Sequence, residues 1–335
     1  MQRIGLKCAL GAVLALVAPF TVNAQATRPA VKTPRIYVFD GGVLASETAR
    51  YRLTDADVQE VPISVASFLI VHPRGVLLWD AGAVADHERS GDIGFEQRLV
   101  RKDGAERFVK LGKTLTSQLV AAGYKPSDVT HLALSHYHWD HTADANLFAG
   151  AQWLASKVEH DAMFSADPPG GSRPETFSAL KNARTTLITT PDYDVFGDGT
   201  VVIKQAPGHT EGHSVLYVKL AKTGGVVLSG DLYHYPAERT LHRLPTFEVS
   251  EAQTEASRKT IEAFLAQSRA QLWIQHDLVH HRTLKDLFAC TEASLKQQRR
   301  GFRNTDPPPG NTIGSTKLAH ELGFATARAT SQDNA

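Results

Sequence analysis

Residues 135–144 read SHYHWDHTAD, and His136, His138, Asp140 and His141 within them follow the pattern H-x-H-x-D-H. An apolar run, HLAL at 131–134, leads into this stretch. In an extended segment, residues two apart point to the same side, so His136 and His138 can converge on one ion. A turn into helix after Trp139 would let Asp140 and His141 face a neighbouring ion. Such groups crowded at a strand end are costly unless something binds them. The stretch therefore predicts parts of two metal sites, and with them an enzyme that activates water between two metals. Imidazole and carboxylate donors without thiolates suit zinc first, with iron, manganese and cobalt compatible.

Working outward, three more segments end an apolar strand in a ligand-type side chain. APGHTEGH (206–213) presents His209 after a tight Pro-Gly turn, as the third ligand of the first ion. His213 is read as a supporting residue, because both cannot readily join a tetrahedral site already holding His136 and His138. SGD (229–231) ends a buried strand in Asp231. Alone it would be a turn-capping residue, but in this company it is read as a carboxylate bridging two cations. WIQHD (273–277) places His276 beside Asp140 and His141 as the third ligand of the second ion. His280 and His281 compete for that role, but they follow the strand rather than end it.

The chain of 335 residues is 42% hydrophobic, enough for one large core or two modest ones. With 36 basic and 35 acidic residues the formal charge is +1, which offers no field for nucleic acid. The N-terminus has the form of a secretory signal: Arg3 and Lys7, then the apolar run 8–18, then Val22-Asn23-Ala24 with small or apolar residues before Gln25. That run is shorter than the ~20 residues of a membrane span. The expected product is exported, periplasmic or secreted, with no stable membrane anchor after cleavage. Loss of residues 1–24 removes two cations and no acid, turning the charge from +1 to −1. It also removes Cys8 and leaves Cys290 alone, so no intramolecular disulfide forms and stability rests on the core and on bound metal.

The expected organisation is a signal peptide (1–24), one hydrolase domain (25–300) and a surface-wrapping or partly disordered tail (301–335). Hairpins are expected at 61–82 and 214–234, both ending in an aspartate, and helices at 115–124, 250–268 and 283–298. Residues 83–112 read as an insertion of helix and loop near the mouth of the site. The pattern is α/β (α+β), with sheets packed on each other and helices outside.

The ordered set HYHWDH, PGHTEGH, SGD and IQHD resembles the metallo-β-lactamase-fold hydrolase superfamily over nearly all of 35–290. The resemblance implies a four-layer αββα sandwich with the metal site at one edge of the two sheets. It also implies that Asp80, in Trp79-Asp80-Ala81-Gly82, orients the metal-binding loop. True β-lactamases of this fold generally lack the bridging aspartate that Asp231 supplies. Glyoxalase II and the tRNA 3′-processing nucleases keep it, but a basic C-terminal region and a basic charge are missing here. IYVFDGG, FLIVHPRGVLLWDAG, LSHYHWDHTAD, PGHTEGH and SGD stand in the order of the N-acyl homoserine lactonase family. That family has a carbonyl-assisting tyrosine three residues after the bridging aspartate; here His234 stands there, between Tyr233 and Tyr235.

The expected function is a lactonase that opens N-acyl homoserine lactones or related lactones, as in quorum quenching, with water between two divalent ions attacking the carbonyl. Asp140 would pass a proton to the leaving oxygen, and Tyr233, His234 or Tyr235 would donate to the oxyanion. Phe95, Phe108, Phe164 and Leu232 are candidate walls for an acyl chain. The alternatives are another hydrolase on the same site, such as a carboxylesterase, phosphodiesterase or β-lactamase-type enzyme, and a non-catalytic metal-binding protein. The expected partner is a small ester or lactone, and the chain is a monomer or homodimer.

Overall fold

The computed structural model describes residues 31–284. The expected signal peptide, the tail at 301–335 and nearly all of the expected helix at 283–298 lie outside them. No helix among the described residues is long and apolar enough to cross a membrane.

The first sheet holds β1 (Arg35–Leu44), β2 (Ile63–His72), β3 (Gly75–Trp79), β4 (Glu96–Val100), β5 (Glu106–Lys110), β6 (His131–Ala133), β7 (Gln152–Ser156) and β8 (Thr185–Ile188). Their order is β4-β5-β1-β2-β3-β6-β7-β8. The second sheet holds β9 (Asp192–Asp194), β10 (Val201–Gln205), β11 (Ser214–Leu220), β12 (Gly224–Leu228) and β13 (Gln271–Trp273), in the order β13-β12-β11-β10-β9. The helices are α1 (Leu115–Ala121), α2 (Trp139–Thr142), α3 (Lys157–Met163), α4 (Pro236–Thr240) and α5 (Glu251–Ser268).

Strand alternation builds the layers. Ile36, Val38, Phe68, Ile70 and Leu77 of the first sheet meet Ile203, Leu216, Val218, Val226 and Leu228 of the second in one cluster. The residues between them, Leu69, Val71 and Leu78, face outward and are covered by Leu115 and Leu119 of α1 and Met163 of α3. Val215 and Val227 point out of the second sheet against Ile261 and Leu265 of α5. Both faces of β2 are thus buried, which explains its continuous apolar run. Helices, two sheets and a further helix make the four layers.

The two halves repeat one plan. The β2–β3 hairpin is followed by β6, parallel to β3. The β11–β12 hairpin is followed by α5 and then by β13, parallel to β12. Asp80 follows β3, the H-x-H-x-D-H run follows β6, Asp231 follows β12 and His276 follows β13, so the candidate ligands gather at one edge of both sheets.

Residues 83–112 depart from the expected helix and loop. They carry a short 3-10 turn at Asp86–Glu88 and then the β4–β5 hairpin, whose β5 extends the sheet from β1. Only alternate positions of β4 are buried, Gln97 and Leu99, so the strand shows no apolar run. Gly104, at φ +77°, makes the turn with Asp103, and that Asp-Gly pair is the hairpin signal in the sequence.

Leu77 is fully buried between the sheets, whereas Val120 on α1 is 60% exposed. Leu77→Ala is expected to cost about 2–5 kcal/mol in urea unfolding, and Val120→Ala less than about 0.5 kcal/mol. Equal costs would contradict the two-sheet core.

Candidate metal centre and active site

His138, in extended geometry, immediately precedes α2, which begins at Trp139. This local change of direction separates two groups of donors. His136, His138, His209 and Asp231 form one, and Asp140, His141 and His276 the other, with the donor atoms of each group within 4.8 Å of one another.

In the first group, His138 Nδ1 lies 2.9 Å from both His136 Nε2 and His209 Nε2. Three ring nitrogens this close can share few protons, so lone pairs converge on one point. Asp231 Oδ2 lies 3.2 Å from His209 Nε2 and 3.6 Å from His136 Nε2. Asp231 Oδ1 turns the other way, 3.1 Å from His141 Nε2 and 3.0 Å from His276 Nε2. Asp140 completes that side, its oxygens 3.9 Å from His141 Nε2 and 3.7 Å from His276 Nε2. His141 Nε2, His276 Nε2 and Asp231 Oδ1 are buried without a hydrogen-bond partner. Orphaned polar atoms aimed at one another are expensive to bury, and a cation between them removes the cost. The donor set therefore fits two divalent ions, with Asp231 between them.

The second ring nitrogens of His136, His141, His209 and His276 are tied down, which fixes the orientation of those imidazoles. Asp80 is fully buried at φ +60°, a left-handed conformation that aspartate tolerates better than most side chains. It accepts from Ser135 N–H (2.6 Å), Ser135 Oγ (2.9 Å), His141 Nδ1 (2.9 Å) and Gln275 Nε2 (2.7 Å). His276 Nδ1 donates to the Ser64 carbonyl at 2.6 Å. His213 holds no ligand position: its Nδ1 donates to the Ala206 carbonyl (3.0 Å) and its Nε2 accepts from Asp231 N–H (2.9 Å). Burial and the neighbouring His209 bring the His213 imidazole down to about 4, so it stays neutral and can accept.

Two glutamates escaped the sequence reading. Glu248 is bonded to His209 Nδ1 at 2.9 Å and accepts from Thr254 Oγ1. Burial opposes charge on His209, but Glu248 and Asp231 outweigh it and raise the imidazole to about 10. Glu159 of α3 accepts from Tyr137 N–H (2.7 Å), Gly212 N–H (2.9 Å) and Thr210 Oγ1 (3.0 and 2.9 Å), joining the two loops that carry His136, His138 and His209. Burial raises its carboxyl to about 7 against those hydrogen bonds. Neither glutamate ends an apolar strand, and their roles rest on contacts distant in sequence. Asp231, which burial would raise, is brought well below the ordinary carboxylate range by His276, His141, His136 and His234.

A cleft of about 260 Å³ opens over these groups, lined by His138, Asp140, Asp231, His234 and His276. Of the three residues expected to assist a carbonyl, only His234 lines it. Tyr233 donates to Glu262 at 3.1 Å and packs beneath α5, and Tyr235 donates to the Val61 carbonyl. His234 Nε2 lies 3.0 Å from Asp231 Oδ2 and its Nδ1 3.4 Å from Glu238 Oε1. With Asp231 and His276 it forms a third group of potential ligands. Of the four expected acyl-chain walls, Phe108 lines the cleft. Phe164 packs with Phe177 on the outer face, Leu232 sits in the α5 cluster, and Phe95 is 52% exposed.

The comparisons with known proteins agree with this architecture. A family model described as the metallo-beta-lactamase superfamily matches residues 61–269. The chain is 27% identical over 253 residues to the N-acyl homoserine lactonase AttM of Azorhizobium caulinodans, covering 72% of this chain and 93% of that protein. A solved structure of AiiA from B. thuringiensis, with N-decanoyl-L-homoserine bound at its active site, superposes with a TM-score of 0.61 at 18% identity, covering 76% of this chain and 97% of that one. AidC, a dizinc quorum-quenching lactonase, superposes with a TM-score of 0.54 at 18% identity, over 73% and 89% of the two chains.

Two substitutions probe the supports. Glu248→Ala should weaken metal binding by about 10–100-fold in a competitive chelator titration. A Cβ on Gly171 would come 2.4 Å from His138 Cδ2, so Gly171→Ala should displace that imidazole and lower the metal content of the purified protein. Wild-type metal affinity in both would contradict the described ligand geometry.

Proposed function

The chain belongs to the metallo-beta-lactamase superfamily, and on that premise we propose that it is a dinuclear metal-dependent lactonase that opens N-acyl homoserine lactones or related lactones. The observation that carries this reading is Asp231, whose two oxygens face two separate sets of histidines. Support comes from the lactonase relatives, which match the chain over most of their length.

His136, His138 and His209 would hold one ion, Asp140, His141 and His276 the other, and Asp231 both; zinc is the first choice. When bound, such ions supply Lewis acidity and bring the pKa of water toward neutrality. The residues of the chain do the rest. Asp140 opens on the cleft, where its carboxylate can take a proton from the attacking water and pass it to the ring oxygen. As the water oxygen bonds to the carbonyl carbon and the ring C–O bond breaks, the product stays in one piece as a hydroxy acid. His234 takes the tyrosine's place in the cleft, and its Nε2–H, 3.0 Å from Asp231 Oδ2, would be shared with the oxyanion. Glu238 accepts from the His234 backbone N–H (3.3 Å) and from Arg258 Nη2 (2.7 Å), and its Oε1 lies 3.4 Å from the imidazole's Nδ1. Residues 1–24 are proposed to export the enzyme, which would put it in contact with diffusible lactones.

Ring opening of N-acyl homoserine lactones, followed by proton release at constant pH, tests the reading. The metal-loaded enzyme should turn them over. His138→Ala and Asp231→Asn should lose more than about 10²-fold in kcat/KM together with metal. No lactone turnover beside robust phosphodiester hydrolysis would overturn it. For His234→Ala the expected result is a loss of about 10²-fold in kcat with both ions retained; loss of an ion instead would place His234 among the ligands.

A further inference from the structure

The cleft over the candidate metal centre is ringed by arginines. Arg50, Arg101 and Arg107 all line it, and they come from two separate parts of the chain. Arg50 lies in the 3-10 turn Thr48–Tyr51. Arg107 is on β5, and Arg101 is in the turn that follows β4. The hairpin is fixed over the site: Lys102 N–H donates to the Ser172 carbonyl (2.9 Å), Asp103 N–H to Gly170 (3.1 Å), and Trp139 N–H to Gly171 in the same loop (3.2 Å). The hairpin that carries Arg101 and Arg107 is therefore held beside α2 and its ligands.

Their charges are unevenly matched. Arg101 pairs with Asp103. Arg50 stands over the Phe247 ring, 4.6 Å from its centroid. Arg107 donates to the carbonyl of its neighbour Glu106 at 2.8 Å. Among the described residues no carboxylate forms an ion pair with Arg50 or Arg107. The three cations also lie within electrostatic reach of one another: burial lowers the pKa of Arg107, Arg101 and Arg50 lower it further, and Asp140 and Asp103 offset this only in part. Half-buried like charges that repel are stabilised by an anion placed between them, and the planar guanidinium fork suits carboxylate and phosphate oxygens. An apolar acyl chain gains nothing from the guanidiniums themselves.

We propose that the natural substrate carries, besides its scissile ester, an oxyanion, either a carboxylate or a phosphoryl group, which docks on Arg50 and Arg107. This rests on the hydrolase reading above and narrows its substrate class. The aromatic rings of Phe108 and Phe247 then flank a short spacer between the anion and the reacting carbonyl.

Direct binding separates this proposal from lactonase activity. Calorimetry on the metal-loaded enzyme would compare three γ-lactams, which lack the scissile ester. They carry an N-succinyl, an N-(3-phosphonopropanoyl) or a neutral N-succinamoyl group. One of the two anions should bind about tenfold tighter than the carboxamide, the scale of a charge-assisted hydrogen bond. Which anion does so distinguishes carboxylate from phosphoryl. The gap should close as salt is raised toward about 1 M. Arg50→Gln and Arg107→Gln should each reduce the ratio, Arg107→Lys should keep part of it, and Arg52→Gln, whose partner is the exposed Glu251, should leave it intact. Equal or tighter binding of the carboxamide, or a ratio unmoved in both the Arg50 and Arg107 variants, would overturn the proposal. If the corresponding lactones are not opened while the ratio persists, the lactonase reading fails and the anion site stands.

Discussion

Asp231 sits in the interior, and its two carboxylate oxygens face imidazoles from different parts of the chain. Removing a carboxylate from water is costly unless opposite charge compensates it. Here the compensation must come from both sides at once, because Oδ2 belongs to the His136, His138 and His209 group and Oδ1 to the His141 and His276 group. That requirement fixes where β12 must end relative to β6 and β13. The fold meets it by closing two sheets on one core, so that strand ends from both halves arrive at the same edge.

A second tier of contacts keeps the donors aimed. Asp80 holds His141, Glu248 holds His209, the Ser64 carbonyl holds His276, and Glu159 joins the two loops of the first group. Each uses the nitrogen or backbone group that the centre does not need. His213 is the clearest case: a histidine kept neutral by burial, spent on holding the backbone of Asp231.

Much of this was legible because ligand chemistry is local. The H-x-H-x-D-H run needs only strand-to-helix geometry to divide its donors, and His209, Asp231 and His276 each end an apolar run. Of the supports, Asp80 and His213 were within reach of the sequence, and the two glutamates were not. Glu248 and Glu159 are ordinary acidic residues in sequence, and only contacts across 39 and 22 residues give them a role. The β4–β5 hairpin was missed because half of its side chains are charged and one face is solvated. Its Asp103-Gly104 turn was the available signal. Tyr233 and Tyr235 were reasonable by proximity, but consecutive residues on extended backbone point to opposite sides. With His234 turned into the cleft, both tyrosines point away from it. The arginine ring came from the unread hairpin and an isolated 3-10 turn, so the polar character of the cleft emerged only in three dimensions.

Asp231 is proposed to join two cation sites into one centre. Anomalous diffraction at the metal edge, from crystals of the metal-reconstituted protein, tests it most directly. Two peaks, one beside each group of histidines with an oxygen of Asp231 bound to each, are expected. A single peak, or two peaks with Asp231 bound to neither or to one alone, would contradict the account.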